Sequence, residues 1–274
     1  MNQVDKIKEG LIDWAKNENK NIDKDGYVNN VEDNFYLKLS EESVRNLVGG
    51  DGSEYPKDDK TRTKIMALHS SSALCCNVFE YWRSRDRKIL AKAMGYSRNI
   101  KSLVYERKLS MGMQGSKPNL DIFFIMDDGK AVAIESKFTE WMAPKSKKSL
   151  FADSYFKDGI ERWKEVGLPN FQKLANQLNE DASMYKHLDV AQLLKHGLGL
   201  ANMHGLNSDL VYLYYDTPDT EISNNHKNEI KLFSDTVGGE LNFKAITYQQ
   251  LLAEIKEGFI AESYINYLES RYAL

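Results

Sequence analysis

The 23 residues from 118 to 140, PNLDIFFIMDDGKAVAIESKFTE, limit what this chain can become more than any other stretch. Two almost wholly apolar runs, 120–126 and 131–138, flank Asp127-Asp128-Gly129, a turn signal. The pattern predicts a buried β-hairpin. Yet Asp121 interrupts the first run, and Glu135, Ser136 and Lys137 interrupt the second. Burying an unpaired charge costs several kcal/mol or more, so these groups must pair with one another or hold something.

Register decides whether they meet. Side chains alternate faces along a strand, so Glu135 and Lys137 share a face. A two-residue Asp128-Gly129 turn would set Asp121 opposite Ser136, on the wrong face. A three-residue loop over 127–129, with Gly129 left-handed, pairs Met126 with Lys130. It sets Asp121 opposite Glu135, within about 5.5 Å between α-carbons. Glycine is what that loop requires at its third position, so this register is the expected one.

Two adjacent carboxylates repel each other, which favours a divalent cation between them. Their hard oxygen atoms suit Mg²⁺ or Mn²⁺. A lysine beside such a cation can orient or deprotonate a water and stabilise charge on a phosphate. Pro118-Asn119-Leu120-Asp121 followed by Glu135-Ser136-Lys137 resembles the PD-(D/E)XK nuclease superfamily. The proline stands slightly further from the aspartate than in the usual pattern, but it has no chemical role. SSSALCCNVFEYW and AQLLKHGLGL resemble restriction endonucleases within that superfamily.

The resemblance implies an α/β fold: an αβββαβ core with a mixed central sheet flanked by helices, plus extra N- and C-terminal helices. It implies that Asp121 and Glu135 hold Mg²⁺, for which Mn²⁺ can substitute, with the Ser136 carbonyl as a further ligand. Lys137 then assists the attacking water. Either Glu106 or Glu80 supplies an additional carboxylate, with Glu106 favoured because a strand beside Asp121 holds it more rigidly. The implied activity is a Mg²⁺-dependent DNA endonuclease leaving 5′-phosphate ends, a type II restriction enzyme. The alternatives are a repair, recombination or transposition nuclease, or a member of the fold that binds nucleic acid without cutting. Alanine at Asp121, Glu135 or Lys137 is expected to abolish cleavage and leave the fold intact. DNA is the partner; a homodimer is an open option.

The rest of the chain supplies the frame. Its 274 residues, 42% hydrophobic and 28% charged, suffice for one nuclease domain. We expect a helical extension over 1–60, a catalytic core over 61–215 and an αβα extension over 216–274. No apolar run approaches a bilayer span, and MNQVDKIKEG has no secretory h-region. Adjacent Cys75 and Cys76 read as small buried apolar residues of a reducing, cytoplasmic compartment.

Periodicity predicts helices over 1–20, 41–48, 64–83, 151–166, 170–180, 188–204 and 224–237, then two more over 247–257 and 259–272. Strands are expected at 102–109, 119–126, 130–138, 210–215 and 241–246, and Thr247 with Gln250 reads as a capping box. Asp23, Asp25 and Gly26 lack calcium-loop spacing and read as a turn. His69 reads as a surface or capping histidine.

Net charge is only −3, but residues 60–110 hold 12 Lys/Arg against 3 Asp/Glu. That excess just before the hairpin predicts phosphate contacts from Arg85, Arg87 and Lys88. Lys145 and Lys147 follow the hairpin directly and are further candidates. Gln192 and Lys195, on the flank of the 188–204 helix, inherit only the superfamily's suggestion of a polar residue near the metal or DNA.

Overall fold

The computed structural model describes every residue except 1, 51–53, 57–60, 114, 116, 145–149, 259–260 and 274. Helices α1 (Gln3–Asn17), α2 (Glu41–Gly49), α3 (Ser71–Phe79) and α4 (Lys88–Ala93) precede a meander of three strands. These are β1 (Ile100–Lys108), β2 (Asn119–Met126) and β3 (Ala131–Lys137). Then come α5 (Arg162–Glu165), α6 (Pro169–Glu180), α7 (Val190–His204) and β4 (Asp209–Tyr214). The chain closes with α8 (Glu221–Val237), β5 (Lys244–Thr247), α9 (Tyr248–Gly258) and α10 (Glu262–Tyr272).

Among the described residues the strands form one sheet in the order β1-β2-β3-β4-β5. The first three are mutually antiparallel, whereas β4 runs parallel to β3 and β5 parallel to β4. Parallel neighbours need a crossover, which α7 and α8 provide. Every residue of β4 is buried, as a parallel strand covered on both faces must be. The order α3, β1, β2, β3, α7, β4 is the expected one, and β5 extends the sheet beyond it. One cluster of buried residues runs from Leu11 to Tyr272. Trp14 of α1 meets Tyr267 of α10 edge-on at 5.7 Å, so the two ends of the chain close together.

The hairpin has the three-residue register. Ile122 pairs with Ile134 and Phe124 with Val132, the Met126 amide donates to the Lys130 carbonyl at 2.9 Å, and Gly129 sits at φ +85°. Thr247 and Gln250 form the reciprocal cap: each backbone N–H donates to the other's side-chain oxygen at 3.0 Å. Thr247→Ala should therefore cost about 1 kcal/mol and lower Tm by about 2–4 °C. An unchanged thermal midpoint would show that α9 is held by packing alone.

Two long helices are shorter than their periodicity suggests. The expected 64–83 helix begins only at Ser71, because the Ser70 hydroxyl accepts from the Ala73 amide at 3.2 Å and caps it there. Residues Lys64–Met66 form a separate 3-10 turn. The 151–166 stretch is a chain of short turns, with Asp158 and Gly159 both at positive φ and only α5 helical. Its aromatic spacing comes from Phe151, Tyr155 and Trp163 packing on one another instead. Asp23 forms a turn, accepting from the amides of Asp25 and Tyr27. Cys75 and Cys76 are buried free thiols. No helix among the described residues is long and apolar enough to cross a membrane.

Candidate active site

The register places Asp121 across from Glu135, and the side chains confirm how tightly the strands meet. The Ser136 amide donates to Asp121 Oδ2 at 2.6 Å. Lys137 Nζ donates to Glu135 Oε1. Glu135 is only 1% exposed, so that pairing is needed to keep it charged. Ser136 faces the other side, where its hydroxyl lies 2.7 Å from the Tyr248 hydroxyl. Asp121, Glu135 and Lys137 line an open cleft of about 570 Å³ together with Glu54, Glu106, Asn119, Glu140 and Gln192.

Burial raises the Asp121 carboxyl well above its usual range, and the charges of Glu135 and Glu106 push it further. Burial acts the same way on Glu135, but Lys137 and then His196 outweigh it and hold that carboxyl at about 2. Burial alone would lower the Lys137 ammonium; Glu135, Asp121 and Glu140 more than offset it and raise it. Of the two carboxyls, Glu135 is the one whose charged form is favoured, because the Lys137 ammonium and the His196 imidazole both hydrogen-bond to it.

Of the two candidates for a further carboxylate, Glu106 lines the cleft. The β1–β2 register pairs Tyr105 with Ile122 and Arg107 with Leu120, so Glu106 stands across from Asp121. It does so at φ +49°, in the left-handed region, a strained conformation for a glutamate inside a strand. Its carboxylate lies over Gly50, where an added Cβ would come within 3.0 Å of Glu106 Oε2. Glu80 is elsewhere: its two oxygens accept from the Ser40 amide at 2.8 Å and the Ser43 hydroxyl at 2.7 Å, holding the start of α2.

His196 has no counterpart in the sequence reading. It projects from α7, is 1% exposed, and its Nε2 lies 2.7 Å from Glu135 Oε2. Two glycines let α7 pack closely on its other neighbours, α6 and the end of β1. A Cβ on Gly197 would meet Phe171 at 2.3 Å, and one on Gly199 would meet Leu109 at 2.6 Å. Gln192, one turn earlier on α7, lines the cleft as expected. Lys195 does not: its ammonium donates to the Leu150 carbonyl at 2.8 Å and lies over the Phe151 ring.

The basic segment is also turned to other work. Arg87 donates to the carbonyls of Trp82, Arg83, Ile100 and Lys101, tying the α4 entry to β1. Arg85 stacks over Tyr81 at 4.0 Å and donates to its carbonyl. Lys88 is exposed near Asp86. None of the three lines the cleft. Lys145 and Lys147 lie outside the described residues. His69, read as a surface or capping histidine, lines the cleft; burial, with Lys8 second, pulls its imidazole down to about 4.

A five-stranded mixed sheet flanked by helices, with an Asp–Glu–Lys group lining an open, acidic cleft, defines an α/β protein. A match to the family described as "Restriction Endonuclease associating with ARP" runs over residues 10–273, and the chain belongs to that family. No curated protein and no solved structure matches it.

Proposed function

We propose that the chain is a Mg²⁺-dependent DNA endonuclease of the type II restriction kind, built on the PD-(D/E)XK core and leaving 5′-phosphate ends. The observation that carries this reading is Asp121 directly across from Glu135, with Lys137 two residues on along the same face. Family membership supports the same class.

The donor set fits a hard dication. Burial and the charges of Glu135 and Glu106 disfavour the ionised form of Asp121, a cost that a cation would relieve. Among the described residues no three His, Cys, Asp or Glu side chains converge as a ready-made metal cluster. Asp121 and Glu135 would hold the ion, with the Ser136 carbonyl, phosphate oxygens and water completing it. Mg²⁺ commonly binds through one or two carboxylates and keeps several waters. When bound, the ion polarises the phosphate and offsets charge developing on its oxygens.

The chain's own residues do the rest. Lys137 remains a full cation, positioned to hold the attacking water and to stabilise negative charge on the phosphate. His196 holds one oxygen of Glu135, fixing which oxygen faces the cleft. Glu106 lies next to Asp121 in the register and adds a further acid at the cleft floor.

Metal choice tests the reading. Mg²⁺ and Mn²⁺ should support plasmid cleavage, whereas Ca²⁺ should support DNA binding without cutting, since it tolerates irregular geometry and activates water less well. Rapid cleavage in Ca²⁺, or full activity in EDTA, would sink the assignment.

A further inference from the structure

The cleft has a second wall, contributed by segments far from the hairpin in sequence. Val4 and Lys8, four residues apart on one face of α1, line it together with Tyr27, Lys64 and His69. Leu11, Trp14 and Ala15 are buried and fix α1 in place, so Lys8 is held at the cleft. Lys64 stands on the 3-10 turn that precedes α3. Tyr27 meets His69 edge-on at 6.3 Å and steadies that ring.

The cleft is acidic, yet among the described residues neither Lys8 nor Lys64 forms an ion pair with its carboxylates. The other lysine of the cleft, Lys137, pairs with Glu135, and Arg62, stacked on Tyr27, pairs with Asp23 and Asp25. Two ammonium groups without an ion pair among the described residues, facing the same space as a carboxylate floor, suit a ligand that is itself anionic and reaches the floor through a cation. A phosphodiester backbone has that chemistry.

Resting on the nuclease reading, we propose that Lys8 and Lys64 are the phosphate contacts of this cleft, which makes the N-terminal helix part of the DNA-binding site. His69 is neutral at physiological pH and adds no charge. The wall therefore contributes two positive charges, and that fixes the size of the effect. Each phosphate contact releases about 0.9 of a counterion on duplex DNA, so losing both should reduce the slope of log affinity against log salt by roughly 2. Backbone contacts carry no base information, so the choice of cleavage site should stay the same.

The experiment is a salt titration of fluorescent-duplex binding in Ca²⁺ for wild type, K8Q, K64Q, K8Q/K64Q and K88Q. Each single variant should lose about one unit of slope and the double variant about two, while K88Q matches wild type. Both lysines keep solvent contact, so thermal midpoints should be unchanged. Mg²⁺-induced stabilisation should also persist in the double variant, since it reads the carboxylates alone. A wild-type slope in K8Q/K64Q overturns the wall and leaves the nuclease reading standing. An equal loss in K88Q also overturns it, because net charge would then explain the effect. A wild type that binds no duplex in Ca²⁺ or EDTA defeats the nuclease reading itself.

Discussion

Asp121→Asn, Glu135→Gln and Lys137→Met should each slow Mg²⁺-dependent plasmid cleavage by about 10³-fold or more. For the two carboxylates these near-isosteric changes remove the charge without leaving the cavity that alanine would. Glu135 is enclosed by Lys137 on one oxygen and His196 on the other. Removing the lysine strands a buried carboxylate, and breaking a buried pair from one side costs about 3–5 kcal/mol. Removing the lysine, by alanine or by methionine, should therefore lower stability as well as activity, for a reason visible only in the structure. A double variant, Glu135→Gln with Lys137→Met, removes both charges together and should recover most of that stability while staying inactive. The measurement pairs initial cleavage rates on supercoiled plasmid with thermal unfolding of the same samples. A full-rate variant at any of the three positions removes that residue from the chemistry. A slow variant whose loss tracks its thermal midpoint would make the role structural.

The hairpin was legible because two local signals agree there. Alternation puts Glu135 and Lys137 on one face, and the glycine at the third loop position selects the only register that brings Asp121 to them. Glu106 was legible for the same reason, as a strand residue adjacent to the pair. What sequence could not show depends on contacts between distant segments. A histidine inside the apolar α7 gives no local sign of its partner; only the packing of α7 on β3 brings His196 to Glu135. The stripe that ran through 64–83 concealed a local stop, since Ser70 caps α3 while Ile65 and Leu68 stay buried outside the helix. Charge counting over 60–110 located an excess of cations but not their partners. Arg87 satisfies backbone carbonyls, whereas Lys8, from an acidic segment, reaches the cleft.

Asp121→Asn should also stabilise the metal-free protein, by an amount that grows with pH. The native Asp121 carboxyl titrates well above 3.8, its ordinary value, through burial and then the charges of Glu135 and Glu106. Between those two pH values the folded chain binds a proton that the unfolded chain has released. Stability therefore falls as pH rises through this interval. Asparagine keeps an oxygen that can accept from the Ser136 amide and carries no charge, so it escapes the fall. Glu135 has the opposite sign. Its native carboxyl is held at about 2, so its contribution is present above about 4.5 and is lost on acidification towards 2, in wild type and variant alike. The thermal midpoints of the two proteins in EDTA should thus be close near pH 4 and separate steadily above it, the variant being higher. Each 1 kcal/mol of difference corresponds to about 2–4 °C. Adding Mg²⁺ at neutral pH should stabilise wild type and leave Asp121→Asn almost unmoved, reversing or closing the gap. A difference independent of pH would mean that Asp121 is ionised in the metal-free fold. Equal Mg²⁺ stabilisation of both proteins would mean that the cation binds elsewhere.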